Sequence, residues 1–373
     1  MELCIDSPIL TKSSPGAHRW IPSSARVVAV GSFPRGSGCI QVHELKGPEL
    51  ELSKEAEKPS SFRCATFGAS SIRDRHLATG NFTGDLQVWD LERLAEPVYS
   101  AKANREMIYA IDGCGGQALL DDVHEYGTFK THVTGKGPPE LVTGGGDGAV
   151  RVWDVRQPDT PVAAFPPDAI CTEKAPECWS VAFGNAFNDE ERCVLAGYAN
   201  GDLRLFDLRT GTERWSEKLQ NGVCTARFDR ADIPMNKLLT AGLDGRYCVY
   251  DARTQHPQQA RHDFGFAGVS GRLARGATLW AAAPLPQNRD LWAAATGDGS
   301  LHLYRYHYPD QRSMKDSQGR EYGVAGTVEE LAQASLSTQP LSAFDWCPER
   351  AGLFCCGALD QVLRVGLVTG LPA

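Results

Sequence analysis

Short apolar runs alternate with polar, glycine-bearing turns along almost the whole chain. From Leu141 to Asp154 an apolar stretch runs into Asp147 and Gly148, then into an alternating stretch that closes on Trp153 and Asp154. Asp-Gly supplies the positive φ angles of a tight turn, and period-two alternation marks a half-buried strand, so this segment reads as a β-hairpin. The pattern recurs from Leu77 to Asp90, Val194 to Asp207, Leu238 to Asp251, Leu291 to Arg305, Leu353 to Leu367 and Val27 to Leu45, making seven copies. A further short apolar strand precedes most of them: Phe62 to Phe67, Ile108 to Asp112, Cys178 to Phe183, Val223 to Phe228, Leu279 to Ala283 and Leu341 to Trp346.

Spacings of roughly 45 to 65 residues accommodate four strands per unit with connecting loops. Four-stranded units repeated radially bury their faces against one another and leave only short edges. The expected fold is therefore all-β: a seven-bladed β-propeller with four-stranded antiparallel blades, forming one domain over 1–373. The endings Trp89-Asp90 and Trp153-Asp154 resemble those of WD-repeat propellers. No Gly-His dipeptide occurs, so the histidine of the usual WD-repeat hydrogen-bond network is missing and packing is expected to carry more of the stability. Blade one and the ring closure are expected to be irregular. The residues before Trp20 include Pro15 and do not alternate, which leaves the inner strand of blade one missing or irregular, and only Leu3 to Leu10 could complete the last blade. Two long connections stand out, 113–140 and 306–339, the second with a short helix expected over Val328 to Ala334. That second connection is read as a partner contact, the first either as that or as plain disorder.

Candidate chemistry favours binding over catalysis. No nucleotide loop, nucleophile elbow or His-Glu-x-x-His is present, so neither an enzyme activity nor a cofactor is expected. His124 and His132 beside Asp121 and Asp122 lack the compact ligand pairs of a structural metal site, and no metal is expected. In a propeller, equivalent residues of successive inner strands lie on a ring, and the second position gives Arg63, Tyr109, Trp179, Cys224, Trp280 and Ser342. Arg63, Tyr109, Trp179 and Trp280 make either a protein-binding set at the channel mouth or packing that plugs it. At the hairpin ends, Trp-Asp-x-Arg at Arg156 and the Asp-x-Arg ends at Arg209 and Arg253 resemble the docking motif of cullin-ligase substrate receptors, or are solvated strand ends with local Asp-Arg pairs.

Charge and cysteine usage narrow the setting. Lys and Arg total 38 against 46 Asp and Glu, a net charge of −8 that speaks against nucleic acid as the main partner. Twelve cysteines without repeated metal-ligand spacing read as reduced core residues. The start carries Glu2 and Asp6 with no basic region, and no segment reaches the ~20 apolar residues of a membrane helix, so the cytoplasm is expected.

Segments outside the repeat narrow the resemblance. Trp179 to Arg192 (WSVAFGNAFNDEER), Asn221 to Cys224, Phe228 to Arg230, Thr254 to Pro257, Leu285 to Arg289, Gln311 to Ser317 and Leu336 to Pro340 resemble the Monad family of WD-repeat proteins. The likeness runs from about Trp20 to Leu367; the short N-terminus and the loop around Leu119 to Gly137 depart from it. The resemblance implies a non-catalytic dynein axonemal assembly factor, monomeric within a larger complex. It would be associated with a prefoldin-like co-chaperone assembly containing RuvB-like ATPases and with axonemal dynein chains. The alternative, resting on Arg156, Arg209 and Arg253, is a substrate receptor of a cullin-type ubiquitin ligase.

Overall fold

A computed structural model describes residues 2–10, 14–71, 73–115, 139–157, 160–167, 174–186, 191–230, 233–254, 265–274 and 276–372, with the backbone course alone for 2–10, 14 and 15. Its strands form seven antiparallel four-stranded blades, six of them running in chain order from an inner to an outer strand and the seventh taking its outer strand from the N-terminus. Blade one consists of Ser14–Trp20, Arg26–Ser32, Gly38–Lys46 and Glu49–Lys58. Blade two consists of Phe62–Thr66, Leu77–Asn81, Asp85–Trp89 and Tyr99–Lys102. Ile108–Gly113, Glu140–Gly145, Val150–Asp154 and Ala163–Phe165 make blade three. Cys178–Gly184, Cys193–Tyr198, Asp202–Asp207 and Thr212–Lys218 make blade four. Blade five holds Val223–Phe228, Lys237–Gly242, Arg246–Asp251 and Ala267–Arg272. Blade six holds Leu279–Leu285, Asn288–Thr296, Ser300–His307 and Thr327–Ser335. Blade seven takes Leu341–Trp346, Leu353–Ala358 and Val362–Thr369, with Glu2–Leu10 as its outer strand.

The core lies between blades. Among the described residues there are seven buried apolar clusters, one at each interface of neighbouring blades. The interface of blades one and two packs Val28 and Ile40 against Phe62 and Trp89. The ring closes where Trp20 and Val27 of blade one meet Cys355 and Leu363 of blade seven. The second strands therefore bury both of their faces, one against each neighbouring blade, which explains nearly continuous apolar runs such as Leu353–Ala358, while outer strands such as Glu49–Lys58 stay largely exposed.

Polar latches persist without the missing histidine. The Trp89 and Trp153 indoles donate to the Thr79 and Thr143 hydroxyls at 2.9 and 3.1 Å. Residues just before four inner strands reach the hairpin turn of their own blade: Ser60 meets Thr83 at 3.3 Å, and Asn104 donates to Asp147 at 2.8 Å. Asn221 donates to Asp244 at 3.2 Å, and Ser337 to Asp360 at 2.8 Å. The turns themselves carry the expected positive φ, for instance 72° at Gly148, and Gln361 takes the same conformation at 63°.

The seam follows the sequence expectation, and one other expectation is overturned. The inner strand of blade one is present as Ser14–Trp20, irregular only in a register shift between Pro15 and Ala17. Ring closure does use the N-terminal segment, paired antiparallel to Val362–Thr369 with a shift between Asp6 and Ile9. The helix expected over Val328 to Ala334 is instead the outer strand of blade six. Glu, Leu, Ala and Gln favour a helix, but pairing with Ser300–His307 offers this segment a full hydrogen-bond ladder, and tertiary pairing overrides a propensity this weak. Much of the 113–140 insertion, including Asp121, Asp122, His124 and His132, lies outside the described residues.

Candidate functional site

The inner strands share one irregularity. In every blade the register slips across the second or third residue: Pro15/Ala17, Phe62/Cys64, Ile108/Ala110, Cys178/Ser180, Val223/Thr225, Leu279/Ala281 and Leu341/Ala343. A bulge leaves one residue out of the ladder and re-aims its side chain. The bulged residues are Gly16, Arg63, Tyr109, Trp179, Cys224, Trp280 and Ser342, and all seven line one cavity of about 130 Å³ at the channel mouth. Sequence spacing had indicated six of the seven, and the structure brings them together. None is fully buried, and Trp280 is 38% exposed, so they rim the mouth and leave it open.

Around the mouth, the Tyr109 and Trp179 rings are tilted against each other with centroids 6.5 Å apart. Trp179 donates its indole N–H to Glu177 at 3.0 Å, which helps hold that carboxyl below its usual range. Burial and the hydrogen bond with Glu177 push the Tyr109 hydroxyl up. Burial pushes the Cys224 thiol up to about 12, so it acts as a small neutral wall and not as a nucleophile.

Three residues past the bulges, Arg19, Asp112, Arg227 and Asp345 form a deeper charged layer. Asp112 accepts the Phe183 backbone N–H and Asp345 that of Trp20, both at 2.9 Å, which ties each inner strand to the next blade. Burial pushes both carboxyls up, opposed by the nearby Arg227 and Arg19, and burial pulls Arg227 down. Two cations and two carboxyls balance there, so the layer serves as mutual support inside the channel.

A second ring surrounds the first. The residue that follows each second strand is Phe33, Phe82, Gly146, Ala199, Leu243, Gly297 or Leu359, in blade order. It is small in blades three, four and six, where the bulged residue is Tyr109, Trp179 or Trp280, and large in the other four. A Cβ on Gly297 would be in ordinary contact with the Trp280 indole nitrogen at 3.4 Å, and one on Gly146 would crowd Glu106 at 2.8 Å and touch the Tyr109 ring at 3.5 Å. Every blade thus places one large apolar residue on the same end. Phe82 and Leu359 are 48% and 54% exposed. These turn residues escaped sequence reasoning because each looks like an ordinary loop position until the blades are aligned.

The hairpin-end arginines occupy the opposite end, on consecutive blades. Arg156 chelates Asp154 through Nε at 2.9 Å and Nη2 at 2.7 Å, the local pairing that sequence had allowed. Arg209 and Arg253 bond Asp207 and Asp251 only through their backbone N–H, at 2.8 and 3.0 Å, and their side chains are exposed. Asp251 instead faces Arg312 at 3.5 Å. Arg312 leads into a small hairpin of Ser313–Lys315 and Glu321–Gly323 that belongs to the second long connection and exposes Met314. Arg312 also stacks 4.5 Å over Tyr308, whose hydroxyl meets Asn236 and the buried Lys237.

No helix among the described residues is long and apolar enough to cross a membrane. No family model matches the chain. The chain is 54% identical over 353 residues to dynein axonemal assembly factor 10 of Chlamydomonas reinhardtii, covering 95% of this chain and 92% of that protein. It is 50% identical to the protein of that name from Xenopus laevis and 49% identical to the one from Homo sapiens, over the same shares of each chain.

Proposed function

The chain belongs to the dynein axonemal assembly factor 10 family, and from that premise we propose that it is a non-catalytic, chaperone-associated adaptor in the cytoplasmic preassembly of axonemal dynein arms. The observation that carries the reading is the 54% identity across 95% of the chain to a relative with that name. The geometry supports it: a rigid ring with one large apolar residue per blade around a channel mouth has the make-up of a protein-contact surface. In this reading Arg63, Tyr109, Trp179 and Trp280 belong to the end that holds one partner, and the opposite end holds another. The partners are a prefoldin-like co-chaperone assembly with RuvB-like ATPases and the axonemal dynein chains. Bridging needs no chemistry, only two faces held at a fixed distance.

The role of cullin-ligase substrate receptor through Arg156, Arg209 and Arg253 has only the exposure of those side chains in its favour. The Asp154 chelate gives Arg156 a local role that needs no partner.

Affinity purification of the tagged protein from the cytosol of a ciliated cell tests both. Recovery of RuvB-like ATPases, prefoldin-type subunits or dynein heavy chains, unchanged by the double substitution Arg156→Ala and Arg209→Ala, is the expected result. Recovery of a cullin and its adaptor in their place, lost with that double substitution, would overturn the proposal.

A further inference from the structure

We propose that the channel mouth takes an acidic side chain of its protein partner: an exposed loop or terminal segment presenting one Asp or Glu with apolar residues close on either side. The inference rests on reading the mouth as a partner-binding end and adds the chemistry of what enters it.

The argument starts from Arg63. The bulge in the inner strand of blade two frees this residue from the ladder and turns it into the mouth. There it lines the same cavity as Tyr109 on blade three and Cys224 on blade five, with the acids Glu177, Glu106 and Asp244 also near those groups. Among the described residues no carboxylate accepts from it. The deeper arginines, by contrast, face Asp112 and Asp345. The nearby acid Glu177 is already engaged by Trp179, Tyr109 and Lys174. Glu106 and Asp244 are likewise paired, with Lys174 and Arg246, so among the described residues Arg63 is a half-buried cation with no carboxylate bonded to it, in a protein whose net charge is −8.

Size and surroundings define the rest. A space of about 130 Å³ holds one side chain and not a folded element. The planar guanidinium matches a carboxylate bidentately, and such charge-assisted bonds strengthen when water is excluded. Large apolar residues that could exclude it stand around the opening, Trp179 and Trp280 beside it and Phe82 and Leu359 farther out. A central polar anchor inside an apolar surround is how interface hot spots are built.

Random dodecapeptides displayed on phage, panned on the folded full chain and then synthesised for fluorescence anisotropy, test this. The expected pool carries Asp or Glu flanked by Leu, Phe or Trp. Replacing the acid by Asn should weaken binding about tenfold, as should Arg63→Gln, which keeps the side-chain bulk. A Lys-for-acid peptide should bind Arg63→Glu better than wild type. Acidic peptides that bind Arg63→Gln as tightly as wild type would overturn the inference. A pool without acids, yet lost with the double substitution Phe82→Asp and Leu359→Asp, would overturn it while leaving the mouth as a partner-binding end. No enrichment, or peptides indifferent to all of these substitutions, would overturn both.

Discussion

His18 and His43, both on blade one, are buried and neutral. Burial is the main cause in each case, pulling His18 down to about 3 and His43 to about 4, and a Cβ on Gly357 of blade seven would fall 1.9 Å from the His18 ring. The unfolded chain takes up protons near 6.5 while the folded one does not, so their contribution is complete above that pH and is lost as pH falls below it. Between pH 7 and pH 5 the loss is about 2 kcal/mol per histidine. Burial raises Asp112 and Asp345, which act in the opposite direction, so urea unfolding should be compared with a variant carrying Gln at both histidine positions. The wild type should lose more stability on acidification than the variant; equal losses would show that the imidazoles reach water. At Trp153, the buried indole N–H depends on the Thr143 hydroxyl. Thr143→Val orphans that donor and should cost about 1–3 kcal/mol in urea unfolding at pH 7.

At the level of elements, the ring depends on a strand borrowed from the far end of the chain. Glu2–Leu10 covers the edge of Val362–Thr369, and without it a row of unpaired backbone groups would face solvent. Deleting residues 1–10 should lower the melting temperature by at least roughly 5 °C and produce concentration-dependent self-association in light scattering. A monomeric variant that melts like wild type would show that the closure is dispensable. The hairpin of Ser313–Lys315 and Glu321–Gly323 is a different kind of element: Arg312 at its base reaches the Asp251 carboxyl on the neighbouring blade. It replaces the local Asp-Arg pairing seen on blade three with one made across blades.

At the scale of the whole molecule, the two ends of the propeller differ in kind. One end presents the mouth ring with Arg63 and the exposed turn residues Phe82 and Leu359; the other presents exposed arginines and the hairpin that carries Met314. An adaptor that bridges two partners should lose them separately. Phe82→Asp with Leu359→Asp is expected to remove one set of co-purifying proteins at least tenfold while the other set is retained, read by quantitative mass spectrometry against wild type. Loss of both sets together, with the melting temperature unchanged, would mean that the partners share one surface.

The repeat itself is local chemistry. Asp147-Gly148, Asp244-Gly245 and Asp298-Gly299 set hairpin turns wherever they occur, and the apolar runs around them must be buried, so blade number, strand pairing and most of the mouth ring follow from spacing alone. Val328 to Ala334 reads as a helix in isolation because the outer strand Thr327–Ser335 carries helix-compatible residues and only its neighbour fixes its state. The polar latches made by Asn104 and Asn221, and the apolar turn residues Phe82 and Leu359, join residues that lie near each other only once the hairpins have folded and the blades have closed. The same holds for Arg63: its spacing placed it on a ring, but whether a cation there meets a carboxylate depends on which side chains reach the channel from the other blades. Side-chain pattern along the chain decides what each strand buries. Closure of the ring decides which exposed residues from seven separate turns become one surface.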